Sequence, residues 1–239
     1  MPNIEVLDPA KHGGLTLRDG QTAGPAHLVP VLATELRELA IEMPVVLVKN
    51  PDTGAFGLFA LTGFRSGENL FLDSQGQWQS DYVPFDVRRR PFVMVRRGDG
   101  EDGAIAIDLD DPAVVGDGTA AESARRPLFE STDGRPSPID ERREVLAAAM
   151  AGTAPTRALI DALTAHDLLA PGRIEVTDGA YGDFALEGFY TVAPKAMTTL
   201  PADILVRMNR SGLLLAIHLL QFSMANVPVL LRKRAAATH

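Results

Sequence analysis

The sequence predicts an α+β fold, with an N-terminal twisted antiparallel sheet plus a helix and a mainly helical C-terminal half packed against it. Three observations carry this. The first half holds short apolar runs separated by Gly, Pro and Asp turn signals. The second half holds longer runs with apolar residues at helical spacing. Between them, residues 108–137 are rich in Asp, Gly and Pro and show little periodicity, as in a long surface connection.

Residues 1–26 are polar and glycine-containing and read as an N-terminal arm. A helix is expected to begin near Pro30, with Val31, Leu32, Leu36 and Leu39 on its apolar side, and to stop at Pro44. Val45–Val48 and Phe56–Leu61 read as a hairpin across PDTG. Asn69–Leu72 reads as a strand, and PFDVRRR as a short helix stopped by Pro91. Phe92–Val95 and Ala104–Ile107 read as two further strands. In residues 138–231, Pro138–Met150 is expected as one helix. A second helix, capped by Thr156, is expected to end at Pro171-Gly172. Ile174–Val176 and Phe184–Val192 form an expected hairpin around DGAYG. Helices at Pro201–Arg210 and Gly212–Ser223 follow, and residues 232–239 read as a solvated tail. The organisation is thus arm, sheet-and-helix half 27–107, connection 108–137, helical half 138–231 and tail.

The chain has 239 residues, 46% hydrophobic content and a net charge of −8. That length can bury a sizeable core. A diffuse acidic balance argues against general nucleic-acid binding, which wants a basic face. There is no cysteine, which removes disulfides, thiolate nucleophiles and Cys-ligated metals together. The N-terminus shows no basic and apolar leader, so a cytoplasmic protein is expected. The most apolar run, Leu213–Leu220, is far shorter than the ~20 residues that span a bilayer. It reads as a buried core helix, and no transmembrane segment is expected.

Candidate motifs were weighed by context. Gly98, Gly100 and Gly103 satisfy GxGxxG, but a strand is expected to follow where a dinucleotide site needs a helix. Asp99, Glu101 and Asp102 would also repel phosphates. Asp108, Asp110 and Asp111 resemble part of a calcium loop whose next ligand position is Pro112. Neither supports a site, and no metal or cofactor is expected. His218 on its apolar helix reads as a hydrogen-bonded core histidine, and His166-Asp167 as a helix end. Glu68 and Asp73 flank a short predicted strand. They suit acid–base work or, more simply, turn bonding and pairing with Arg88 or Arg89.

The stretch Leu61–Arg97 holds the only tryptophan, Trp78, together with Tyr82, four of the ten phenylalanines and the run Arg88-Arg89-Arg90. Aromatics with arginine compose a core with arginines stacked at its margin, or an interface centre. Candidate ligand- or partner-binding residues are therefore Glu68, Asn69, Asp73, Trp78, Tyr82, Arg88, Arg89 and Phe92. No catalytic residue is assigned.

These residues carry a resemblance. GENLFLD, GQW and YVPFDVRRRPF resemble the signature of the bacterial SapC family. TRALIDALTAHDLLAP, LEGFYTV and a closing leucine-rich helix follow in the family's order, so the resemblance runs from about His27 to Leu231. The family name implies association with a bacterial surface layer, and many relatives are labelled peptide-transport permeases. Relatives are typically encoded near outer-membrane receptors, flavin-dependent tryptophan halogenases and cupin-like oxygenases. This implies a non-catalytic accessory protein for uptake or modification of a peptide or small molecule, with a protein or peptide partner and a homodimer left open. The alternative is an enzyme acting on a peptide or aromatic metabolite through Glu68, Asp73, Tyr82 and an arginine converging in a cleft.

Overall fold

The computed structural model describes residues 3–18, 24–96, 103–115, 125–132, 134–176 and 183–237. In chain order, β1 (Ile4–Val6) leads through the single turn α1 (Pro9–His12) to β2 (Thr16–Arg18). β3 (Leu28–Pro30) precedes α2 (Leu36–Glu42), β4 (Val45–Lys49) and β5 (Phe56–Leu61). α3 (Phe85–Arg88) precedes β6 (Phe92–Arg96) and β7 (Gly103–Asp108), then β8 (Val114–Val115) and β9 (Arg125–Pro127). The long α4 (Pro138–Ala165) is followed by β10 (Leu169–Val176) and β11 (Phe184–Val192). The chain closes with α5 (Ala202–Arg210), α6 (Leu213–Ser223) and α7 (Val227–Ala237). The α+β class and the helical C-terminal part are as expected.

The chain divides into two compact units that interleave in sequence. The first comprises Met1–Ala23, Gly76–Trp78 and Phe85–Met150; the second comprises Gly24–Gln75, Gln79–Pro84 and Ala151–His239.

In the first unit, β7 pairs with β1 and β6, and β2 pairs with β8 and β9, all antiparallel. Leu17, Phe92, Ile107, Leu128, Ile139 and Leu146 close its core. The expected N-terminal arm is thus largely folded. Asp8 caps α1 by accepting from the Ala10 amide at 2.9 Å, and Leu17 is driven inward by burial. Part of the expected surface connection is strand as well, because β8 and β9 find a ladder on β2. Of GxGxxG, Gly98 and Gly100 lie outside the described residues. Gly103 opens a strand, as its context implied.

In the second unit, five antiparallel strands run in the order β10-β11-β4-β5-β3. Val45, Val46 and Leu47 are buried in succession, as in a strand covered on both faces. α6 packs against β4, β11 and α2. The Ser223 hydroxyl accepts from the Val45 amide at 2.9 Å, and Asn226 Nδ2 donates to the Ala40 carbonyl at 2.9 Å. These two bonds anchor the helix to the sheet and to α2.

Several local expectations are corrected. Leu28–Pro30 is strand, so the helix begins later. Its entry is set by the Glu35 carboxylate, which accepts from the Leu32 amide at 2.8 Å. Asn69–Leu72 is a turn, because Asn69 Oδ1 takes the Phe71 amide at 3.0 Å. α4 is one helix through the exposed Pro155. Thr156 does not cap a new helix; its hydroxyl turns inward, bonding the Gly152 carbonyl at 2.7 Å and accepting from the Ala33 amide at 2.8 Å. Pro171-Gly172 lies within edge strand β10, not at a helix stop. A Cβ on Gly172 would meet the Phe189 ring at 2.1 Å, so glycine there admits the ring. The DGAYG turn lies outside the described residues. α4 ends earlier, at Ala165, and the chain turns at Asp167 in the left-handed region (φ 51), with the Leu168 amide donating to Leu163 O at 2.9 Å.

The closing helices also differ. α6, the 3-10 turn Met224–Asn226 and α7 continue one another over Leu213–Ala237, 25 residues. By length and composition alone this run is apolar enough to cross a membrane, and only 28% of its most apolar window is buried. The run Leu213–Leu220 is one part of this longer helical stretch, with Ile217 and Leu220 buried, and residues 232–237 of the expected solvated tail are helical. Among the described residues, His218 is exposed, with Nδ1 3.2 Å from Gln221 Oε1, and is not a core histidine.

Two substitutions test this packing. Phe92→Ala removes a fully buried ring and is expected to cost about 3–5 kcal/mol. Gly172→Ala forces the Phe189 ring aside and is expected to cost about 1–3 kcal/mol. Urea-denaturation midpoints measure both; unchanged midpoints would contradict the packing described.

Candidate functional site

The candidate residues fall into the two units and mostly serve local structure. In the first unit, Phe92 is fully buried and closes a core instead of offering a surface. Trp78 is also buried. Arg89 Nε bonds Asp86 Oδ1 at 3.1 Å, and its Nη1 donates to the Phe92 carbonyl at 2.6 Å. This fork ties α3 to the start of β6. Arg88 lies over the Phe85 ring, 5.4 Å from its centroid. Arg90 Nε pairs with the buried Asp111 carboxylate at 2.8 Å. Asp108 and Asp110 accept backbone amides from Asp110 and Asn3, so these aspartates shape turns.

In the second unit, Glu68 Oε2 accepts from the Phe64 amide at 2.6 Å, and its Oε1 lies 3.9 Å from Arg234 Nε. Arg234 is buried and stacks over Phe184 at 4.2 Å. Asp73 takes the Gln75 amide at 2.8 Å and Gln79 Nε2 at 2.9 Å. Tyr82 donates to the buried Glu35 at 3.1 Å. Glu68 and Asp73 are thus engaged within the second unit, Glu68 by Phe64 and Arg234 and Asp73 by Gln75 and Gln79. Sequence reasoning missed Glu35 and Arg234. Glu35 sits three residues after the chain turn at Leu32, a capping spacing that was legible. Arg234 sat in a run that looked like a solvated tail.

Two concave features of the second unit are richer in chemistry. The larger is a groove of about 810 Å³ between β5 and the second half of α4. Leu32, Phe56, Leu58 and Ile160 supply its apolar wall. α4 comes close here because residue 152 is glycine: a Cβ would lie 2.7 Å from Thr34 Oγ1 and 2.8 Å from Leu32 Cδ1. The Thr156–Ala33 bond holds that approach. Lys49, Arg157 and Asp161 stand at the groove. Lys49 Nζ lies 5.7 Å from the Phe56 ring centroid. Among the described residues, neither Lys49 nor Arg157 has an ion-pair partner.

The smaller is a hollow of about 320 Å³ lined in part by Ile41, Glu42, Ser80, Asp81 and Lys233. Ser80 donates its hydroxyl to Glu42. Partial burial pushes the Glu42 carboxyl above its ordinary range, and the neighbouring Asp81 charge adds to this. The amides of Tyr82 and Asp81, and the Lys233 ammonium, act in the opposite direction. Among the described residues, no group of three or more His, Asp or Glu side chains could hold a metal ion.

Comparison with known proteins places the chain in one family. The SapC family model matches residues 7–230, nearly the whole chain. This protein belongs to the SapC family. No curated protein and no solved structure matches it.

Glu42 gives a pH test. A carboxyl whose folded pKa is raised contributes stability that is full below its unfolded value. That contribution is lost as pH rises through the folded value. Glu42→Gln is therefore expected to gain in stability relative to wild type as pH rises from the acid range to neutrality. Denaturant melts across that range measure the difference; a difference that does not change with pH would contradict the shift.

Proposed function

We propose that this SapC-family protein is a non-catalytic binding protein that serves as an accessory to peptide or small-molecule uptake or modification. Its ligand is an apolar peptide segment bearing a carboxylate, taken by the groove between β5 and α4. One observation carries this reading. The groove joins an apolar wall of Leu32, Phe56 and Ile160 to two cations, Lys49 and Arg157, that have no ion-pair partner among the described residues. Binding sites commonly combine apolar walls with a few polar groups that fix orientation. A carboxylate would satisfy the rim through charge-assisted bonds. The enzyme reading required Glu68, Asp73 and Tyr82 to converge on a substrate, and each is engaged separately with Phe64, Gln75 or Glu35.

An Ala-Leu-Phe-Leu peptide carrying an uncharged fluorophore at its N-terminus, compared with its C-terminal amide, tests the reading by fluorescence anisotropy. The free acid is expected to bind about tenfold tighter than the amide, a difference of about 1.4 kcal/mol. Lys49→Glu with Arg157→Glu should abolish that preference, and Ile160→Arg should abolish binding of both peptides. No binding by wild type, or equal binding by Ile160→Arg, would overturn the proposal.

A further inference from the structure

The closing helices have two contrasting sides. Ile217, Leu220, Ser223, Asn226 and Leu230 form a buried line at steps of three and four residues. Ser223 and Asn226 bond this line to β4 and α2. A second line at the same steps is exposed: Leu215, His218, Phe222, Ala225, Pro228 and Arg232. Leu215 is 51% and Phe222 69% exposed. Large apolar side chains exposed along one helix line mark an interaction surface.

Charge selects the occupant. From Leu213 to His239 the sequence has no Asp or Glu; of its cations Arg232 is exposed and Lys233 half-buried, while Arg234 is buried against Phe184 and Glu68. Arg210, exposed at the end of α5, flanks the start of α6. This cation-only segment stands out in a chain of net charge −8. An apolar helix face bounded by cations matches an anionic lipid surface. The overall negative charge is screened beyond a Debye length of ~8–10 Å, so local cations govern contact. A second copy fits less well. A two-fold antiparallel pairing about Phe222 would bring Arg232 of one copy toward the Arg210 end of the other, cation against cation.

We propose that the exposed line of α6 and α7, centred on Leu215 and Phe222, docks this protein flat on an anionic bilayer. The helix does not span it. Its buried line is committed to β4 and α2, so crossing the membrane would strip those bonds from the sheet. Docking uses Phe222 and Leu215 as shallow apolar inserts and Arg210 and Arg232 as contacts to lipid phosphates. This surface is separate from the β5–α4 groove, so it stands or falls independently of the ligand proposed above.

Flotation with phosphatidylcholine vesicles, with and without phosphatidylglycerol, tests the proposal on the full chain. Wild type is expected to float only with the anionic vesicles, and less as salt is raised. Leu215→Gln with Phe222→Gln should weaken flotation by roughly tenfold or more while keeping the wild-type circular dichroism and melting curve. Phe222→Trp gives a second readout that does not depend on the double variant's folding: its added emission should shift to the blue on anionic vesicles. Absence of wild-type flotation, or flotation unchanged in a folded double variant, would overturn the proposal. So would no Phe222→Trp shift on vesicles. A concentration-dependent dimer mass that Leu215→Gln with Phe222→Gln abolishes would assign the face to a second copy instead, and would overturn it equally.

Discussion

The second unit depends on a serine hydroxyl and an asparagine amide set into an apolar helix. Ser223 accepts from the Val45 amide, and Asn226 donates to the Ala40 carbonyl. Both side chains are buried, where a lost hydrogen-bond partner leaves a polar group stranded at about 1–3 kcal/mol. Apolar packing alone is indifferent to rotation of a helix that is apolar on every side. These two directional bonds choose which side faces the sheet. Once Ile217 and Leu220 turn inward, Leu215 and Phe222 must turn outward.

The same logic accounts for the ionisable groups. A chain with 19 arginines among its 23 basic residues could have offered an open guanidinium surface. Instead Arg89 closes a junction with Asp86 and Phe92, Arg90 takes Asp111, and Arg234 stacks on Phe184 beside Glu68. Planar forks suit such roles because one side chain satisfies several acceptors. Glu35, Glu68, Asp73, Asp108 and Asp110 are occupied in a comparable way by backbone amides. What the fold leaves uncommitted is different in kind: a groove with Lys49 and Arg157 at its rim, and an apolar helix line.

Much of this was legible in the sequence, and the failures have physical reasons. The β4–β5 and β6–β7 pairs, the short helix at Phe85 and the hairpin β10–β11 were readable from apolar runs and turn residues. The family signature was readable in GENLFLD and YVPFDVRRRPF. Thr156 and Pro171-Gly172 misled because each had a tertiary duty, one toward the Ala33 amide and one toward the Phe189 ring. Single-sequence signals describe local preference, and tertiary contacts override it. The local roles of the candidate residues were not legible for a related reason. Phe92 and Arg89 were grouped by their nearness in sequence, and only the fold shows that one fills a core while the other bonds its carbonyl. The β5–α4 groove was hidden because its walls lie about a hundred residues apart in the chain.

The central claim is that the buried line of α6 is locked to β4. Native-state hydrogen exchange of the Val45 amide, whose acceptor is the Ser223 hydroxyl, addresses it most directly. If the lock holds, Val45 and the amides of α6 exchange together with the slowest amides of β5, through unfolding of the unit as a whole. If Val45 and α6 exchange much faster than β5, by local opening, the helix is not held there and its exposed line has no fixed orientation.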